Sequence, residues 1–258
     1  MFNIQFFMRK IPVIISFVIL SISCAKEEPL AFSEVQLSAD SFEACSTSNC
    51  PELNVQYLLA TGNKEVSDII NGVIELHLVT ILTSNQDDVQ NVVTIKDAVT
   101  SFIADYKQFE TDFGNSFIAY NADTNMMVSY FSEDLVSIKL DYYLFTGGAH
   151  GYGGTNYLNF NPKTAEILTS TTMYANEKEF LKYVENKFRE EFQIPKDSTI
   201  NATGFWFEND TFYLPQNVGF TESEVVLIYN QYEIASYAEG PILLTFPKEE
   251  VLEFLEFH

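Results

Sequence analysis

Apolar residues change their spacing several times along this chain, and each change marks an element. From Glu34 to Asp40 they alternate with polar ones, placing Val35, Leu37 and Ala39 on one face, and Leu53-Asn54-Val55-Gln56-Tyr57 alternates again. A two-residue period describes half-buried strands, so two strands are expected, joined through the segment that holds Cys45 and Cys50. The period then lengthens. Val66, Ile69, Ile70, Val73, Ile74 and His77 fall at i, i+3, i+4, i+7 spacing, and Val99, Phe102, Ile103, Tyr106, Phe109 and Phe113 do the same. Two amphipathic helices over 64–82 and 89–113 follow, with His77 on the core face of the first. The polar run Thr83-Ser84-Asn85-Gln86-Asp87-Asp88 joins them, and Gly114 is placed to cap the second.

Beyond Gly114 the short period returns. Strands are expected at 116–121, 126–131, 134–145 and 154–160, separated by turn residues such as Ala122-Asp123-Thr124-Asn125 and Asn161-Pro162-Lys163-Thr164. In the third, Val136, Ile138, Leu140, Tyr142 and Leu144 form the buried set. A helix over 176–192 carries Phe180, Val184, Phe188 and Phe192 on one face and stops at Pro195. Strands at 204–208, 211–214, 224–229 and 241–246 precede a short helix with Pro247 in its first turn and Val251, Leu252 and Leu255 inward. Strands, helices and strands again, without strict βαβ alternation, predict an α+β fold with mainly antiparallel sheets in two subdomains.

The first 24 residues concern address rather than fold. Arg9 and Lys10 precede an apolar run from Ile11 to Leu20 and then Ser21-Ile22-Ser23-Cys24, the layout of a secretory signal. Such a run is too short to span a ~30 Å hydrocarbon core. Ser23-Cys24 resembles a bacterial lipobox, in which the cysteine is lipidated, and Ala25-Lys26-Glu27-Glu28 resembles the export signal of Bacteroidetes surface lipoproteins. These resemblances imply a lipid-anchored protein of the outer membrane, at the cell surface, attached through Cys24 alone.

Charge then excludes whole classes of partner. Removing Arg9 and Lys10 with the signal leaves 12 basic against 36 acidic side chains, a net charge of about −24. A domain that acidic repels phosphate backbones, so nucleic acid is excluded, whereas a cationic partner would be steered toward it. Cys45 and Cys50, separated by four residues in an exported chain, are expected to form a disulfide. No metal or other cofactor is expected, since only His77, His150 and His258 are available as imidazole ligands and none has ligand spacing.

The densest irregularity is Thr146-Gly147-Gly148-Ala149-His150-Gly151-Tyr152-Gly153-Gly154, which concentrates five of the chain's 11 glycines in eight residues. It is no dinucleotide loop, because Asn156 stands where the fingerprint needs glycine. No nucleophile elbow is present either. The run Tyr143 to Gly151, followed by Asn159-Phe160-Asn161 and the turn at Lys163-Thr164, resembles the extracytoplasmic domain of the sigma-V anti-sigma factor. Phe212-Tyr213-Leu214, the run Tyr232-Glu233-Ile234-Ala235-Ser236-Tyr237-Ala238-Glu239-Gly240 and Phe246-Pro247 resemble the same family, with Ser236 in place of its proline. The Cys45 to Pro51 stretch and the helix pair after it resemble the accessory domain found beside the catalytic module of peptidoglycan deacetylase C.

The resemblance implies a signal peptide at 1–23, a tether at 24–33, a deacetylase-accessory-like domain at 34–125 and an anti-sigma-like domain at 126–258. It also implies non-catalytic binding of an extracytoplasmic macromolecule, either a cationic protein such as lysozyme or peptidoglycan and related glycans. His150, Tyr152, Tyr232, Tyr237 and Glu239 are the candidate ligand-binding residues. For His150 the alternatives are a histidine that pins the glycine loop, a ligand contact or a general base. A cell-wall hydrolase working through His150, and a structural envelope lipoprotein without a soluble ligand, are the rival readings.

Overall fold

The computed structural model describes residues 28–46, 49–83, 92–114 and 119–257. Cys24, the signal, the polar turn at 84–88 and His258 lie outside the described residues. Strands β1 (Ala31–Ser38) and β2 (Glu52–Thr61) are antiparallel, and the Cys45–Cys50 disulfide closes a loop in their connection. The chain then crosses over through helices α1 (Lys64–Leu82) and α2 (Ile95–Phe113) to β3 (Asn121–Phe131), which pairs in parallel with Glu52–Val55 of β2. Strands β4 (Val136–Phe145) and β5 (Tyr152–Phe160) continue as an antiparallel meander, giving a five-stranded sheet in the order β1-β2-β3-β4-β5.

A second lobe follows. Helices α3 (Ser170–Met173) and α4 (Glu177–Glu191) lead to an antiparallel three-stranded sheet of β6 (Asn217–Phe220), β7 (Glu224–Tyr229) and β8 (Ile242–Pro247), closed by α5 (Lys248–Val251). The fold is therefore α+β, with one mixed and one antiparallel sheet.

Each lobe has its own core. Asn63 caps α1 by accepting from the N–H groups of Glu65 and Val66, and Thr94 with Asp97 forms a capping box on α2. The two helices bury Ile70, Ile74, Leu78, Val99, Phe102 and Ile103 against Val55, Met126, Ile138 and Leu140 of the sheet. In the second lobe Phe180, Val184 and Phe188 of α4 meet Phe207, Phe212, Phe220 and Tyr229. Phe188 is the centre, with ring contacts to Phe192, Phe205, Phe207, Phe212 and Tyr229 between 4.6 and 6.2 Å. The lobes meet at the start of β4, where Val136 belongs to one core and Leu135 to the other.

Side-chain amides close the open strand edges at this junction. Asn230 accepts from the Thr155 N–H and donates back to the Thr155 carbonyl, both at 3.0 Å, as a neighbouring strand would. Asn217 accepts from the Tyr157 N–H at 2.8 Å and also donates to the Thr155 carbonyl. Asn71 of α1 serves β2 in the same way at Ala60, with bonds of 2.7 and 2.9 Å. Unpaired edges invite pairing with other chains, and these amides occupy the ladder positions instead.

Several expectations are corrected. The turn expected at 122–125 is the interior of β3, because Ala122 and Thr124 point inward and the segment pairs on both sides, with β2 and with β4. The boundary expected at 125/126 accordingly falls inside a strand, and residues 31–33, expected as tether, pair with 59–61. No strands form at 204–208 or 211–214. Short 3-10 turns (Ile200–Thr203 and Glu208–Asp210) flank a path bent by positive φ at Gly204, Asn209 and Asp210, while Asn201 ties down the backbone of Phe207. Alternation there reflects aromatic plugs inserted into the core from a loop. Strand β6 forms where the apolar pattern predicts no element, Pro247 precedes its helix as N-cap, and α2 starts at Ile95. His77 is half-exposed, with Nδ1 3.1 Å from the Val73 carbonyl, so it borders the core rather than filling it.

Candidate functional site

The glycine-rich segment is the loop between β4 and β5. Gly147 and Gly148 adopt φ of 90° and 96°, a left-handed path that side chains other than glycine's rarely take, and the chain reverses there. At the β5 end, a Cβ on Gly154 would lie 2.8 Å from the Tyr142 hydroxyl and 3.0 Å from Asn230 Oδ1. Glycine at 154 therefore lets Asn230 reach the edge of β5. The glycines shape a hairpin tip and admit a neighbouring segment; phosphate binding plays no part in that geometry.

The neighbouring segment is 230–240. Asn230 N–H donates to the Glu233 carboxylate at 2.7 Å and the Glu233 N–H donates to the Asn230 carbonyl at 3.1 Å. This turn holds Tyr232 at φ 68°, a conformation that costs a bulky residue of order 1–3 kcal/mol, and leaves the side chain 49% exposed. Tyr237 stands on the 3-10 turn Tyr237–Glu239.

The two segments meet through rings. His150 stacks on Tyr237 with centroids 4.0 Å apart and planes inclined by 23°, and Tyr232 lies 5.6 Å from Tyr237. The Gly151 carbonyl receives both His150 Nδ1 at 2.9 Å and the Tyr237 hydroxyl at 3.2 Å. With Nδ1 donating, Nε2 is left to accept from the Tyr232 hydroxyl at 3.4 Å. His150 thus pins its loop to the 230–240 segment and presents an edge beside an exposed tyrosine. No carboxylate orients its ring among the described residues, and its other contact is a phenol rather than a serine or cysteine.

The remaining candidates divide. Tyr152 is 45% exposed at the head of β5, paired with Tyr142 at 6.1 Å, and Tyr143, 44% exposed, lays its ring against Gly151. These tyrosines belong to the same hairpin as His150. Burial, and then the neighbouring Tyr152, push the Tyr142 phenol well above its ordinary range, so Tyr142 stays neutral. Glu239 is placed elsewhere, on the wall of a cavity of about 240 Å³ with Phe192, Phe205 and Ile242. The exposure of Tyr143 agrees with the phase of the β4 alternation, which leaves it outside the buried set, whereas no sequence signal marks the left-handed turn at Tyr232.

Charge sharpens the picture of this face. Segments 140–162 and 197–247, which hold the hairpin tip and the turn, contain no Lys or Arg, while 197–247 carries seven acidic residues. No group of three or more His, Cys, Asp or Glu side chains is arranged to hold a metal among the described residues. None of the described helices is long and apolar enough to cross a membrane.

Comparison with known proteins follows the same two-part division. Residues 44–152 match the family model described as deacetylase PdaC, and residues 166–249 match the model described as a protein of unknown function, DUF3298. A solved structure of a DUF3298 family member from Bacteroides fragilis is similar at 18% identity and a TM-score of 0.62, covering 89% of this chain and 94% of that one. A DUF3298 family protein from Pseudomonas aeruginosa is similar at 20% identity and a TM-score of 0.57, with the same coverage of 89% and 94%. At these identities the likeness is one of fold, and it extends across both lobes. No curated protein matches the chain.

Proposed function

We propose that this chain is an extracytoplasmic binding protein without catalysis, lipid-anchored through Cys24 at the outer membrane, whose His150, Tyr232 and Tyr237 surface receives a cationic protein of the lysozyme type. One observation carries the reading: the two segments that resemble the anti-sigma factor, far apart in sequence, join through the His150–Tyr237 stack. The absence of Lys and Arg from 140–162 and 197–247 suits a cationic partner. A second reading, a cell-wall glycan, is favoured by the exposed rings of Tyr143, Tyr152 and Tyr232, which offer flat apolar faces to a sugar. The hydrolase reading draws less support, since among the described residues no carboxylate orients the His150 ring and no serine or cysteine contacts it.

The test uses the chain from residue 25 onward against lysozyme and purified peptidoglycan. Steering by a charge of about −24 makes the association rate with lysozyme fall at least about tenfold between roughly 20 and 300 mM salt, with little change in dissociation. Tyr232→Ala weakens that complex. A flat association rate transfers the preference to the glycan, and absence of binding to either ligand removes the proposal. For the anchor, Cys24→Ser abolishes palmitate labelling and releases the protein from membranes, and persistent labelling of the variant removes the lipid.

A further inference from the structure

The three-stranded sheet ends on β8, whose far side pairs with no described strand. Lys248 donates its N–H to the Ser223 carbonyl at 2.8 Å across the β7–β8 pair. Since the ladder alternates, Phe246, Leu244 and Ile242 then exchange hydrogen bonds with Val225, Leu227 and Tyr229. The N–H and C=O groups of Leu243 and Thr245, and the carbonyl of Pro247, therefore point away from β7. No described residue closes them, in contrast to the asparagine amides that seal β5.

Beside this edge runs a groove of about 660 Å³ with α4 as its opposite wall. Glu190, Glu191 and Glu250 line it against a single cation, Lys187. Glu190 and Glu191 make no ion pair among the described residues, and Leu243 and Thr245 are exposed on the β8 side.

We infer that the β8 edge is a strand-docking site that takes an extended segment of a partner protein carrying Lys or Arg at alternate positions. The open main-chain groups of Leu243 and Thr245 supply the ladder for an added strand. A strand's two-residue period sends alternate side chains of that segment toward Glu190 and Glu191, where cations gain and carboxylates are repelled. Pro247, with no N–H to offer, ends the ladder. This surface is independent of the one around His150, and its occupant adds main-chain hydrogen bonds that a docked folded surface does not supply.

The probe is a fluorescent hexapeptide alternating valine and lysine, compared with one alternating valine and glutamate, each titrated into the chain from residue 25 onward. The lysine peptide binds at least about tenfold more tightly, and its binding slows hydrogen exchange at the Leu243 and Thr245 amides. Thr245→Pro removes an outward N–H without taking a bond from β7, and raises the Kd of the lysine peptide at least about tenfold. Because proline also strains a strand, the double replacement Glu190→Lys with Glu191→Lys, on the exposed helix face, provides a second reading and produces a similar loss. Tyr232→Ala leaves this binding unchanged, which separates it from the proposed function. The inference is overturned if the lysine peptide does not bind, if the two peptides bind alike, if the two amides exchange at the same rate with peptide present, or if the charge reversal is without effect.

Discussion

Asn230 shows how much one side chain decides in this fold. Its amide stands in for a missing strand at Thr155, and its approach requires a glycine at 154 and the turn that also strains Tyr232. Replacing it with alanine leaves the Thr155 N–H without its partner, while the Thr155 carbonyl keeps the Asn217 amide, so Asn230→Ala should lower stability by about 1–3 kcal/mol in urea titrations. An unchanged midpoint would mean that water substitutes freely there. Tyr232 gives the opposite sign. Tyr232→Gly relieves the left-handed backbone while adding freedom to the unfolded chain, so stability should stay within about 1 kcal/mol of the parent or rise, even as ligand affinity falls. A clear loss of stability would assign the ring a packing role instead of a binding one.

At the scale of elements, the Cys45–Cys50 bridge closes a loop of only six residues. In the chain-entropy picture so short a loop contributes about 2 kcal/mol, so reduction should shift the thermal midpoint by several degrees while leaving both lobes folded. Complete unfolding on reduction would show that β1 depends on the staple. Helices α1 and α2 were legible because each buries one continuous stripe and begins at a side chain that caps it, Asn63 or Thr94. Strands were legible where one face is wet, as in β1 and β2. Reading failed where periodicity no longer tracks the backbone. In β3, Asp123 and Asn125 look like turn residues, yet they are the outward members of a strand whose Ala122 and Thr124 face the core. From 204 to 214 the apolar spacing is set by where Phe205, Phe207 and Phe212 meet Phe188, a tertiary fact with no local period. Of the candidate site, the sequence singled out His150, Tyr232 and Tyr237 through their two motifs, but their stacking depends on loops that approach only after both sheets have formed.

The whole molecule carries a prediction in its titration behaviour. Tyr229 is fully buried with its hydroxyl 2.5 Å from the Tyr213 carbonyl, and Tyr174 is buried with no hydrogen-bond partner for its own among the described residues. Burial pushes both phenols far above their ordinary range, with smaller contributions from the neighbouring Tyr213 and Glu233 for Tyr229 and from Glu177 for Tyr174. A raised pKa on an acid means that the native state keeps a proton that the unfolded chain releases near pH 10. Below that pH both states are protonated and stability is undiminished. As pH rises past 10 the unfolded state gains by losing its protons, and each such group, Tyr142 as well as these two, adds a slope approaching about 1.4 kcal/mol per pH unit. The growing negative charge of an already acidic chain acts in the same direction. Urea midpoints should therefore be nearly level from pH 7.5 to 9.5 and fall steeply between 10 and 11. Tyrosinate absorbance in the native baseline should stay short of the full complement of 14 tyrosines until the protein unfolds. Removing a buried hydroxyl should lessen that slope: Tyr174→Phe, which deletes one without a partner among the described residues, should make the alkaline limb shallower by up to about 1.4 kcal/mol per pH unit with little cost at neutral pH. A variant that falls as steeply as the parent would show that the alkaline loss comes from charge repulsion across the whole surface and not from the buried phenols.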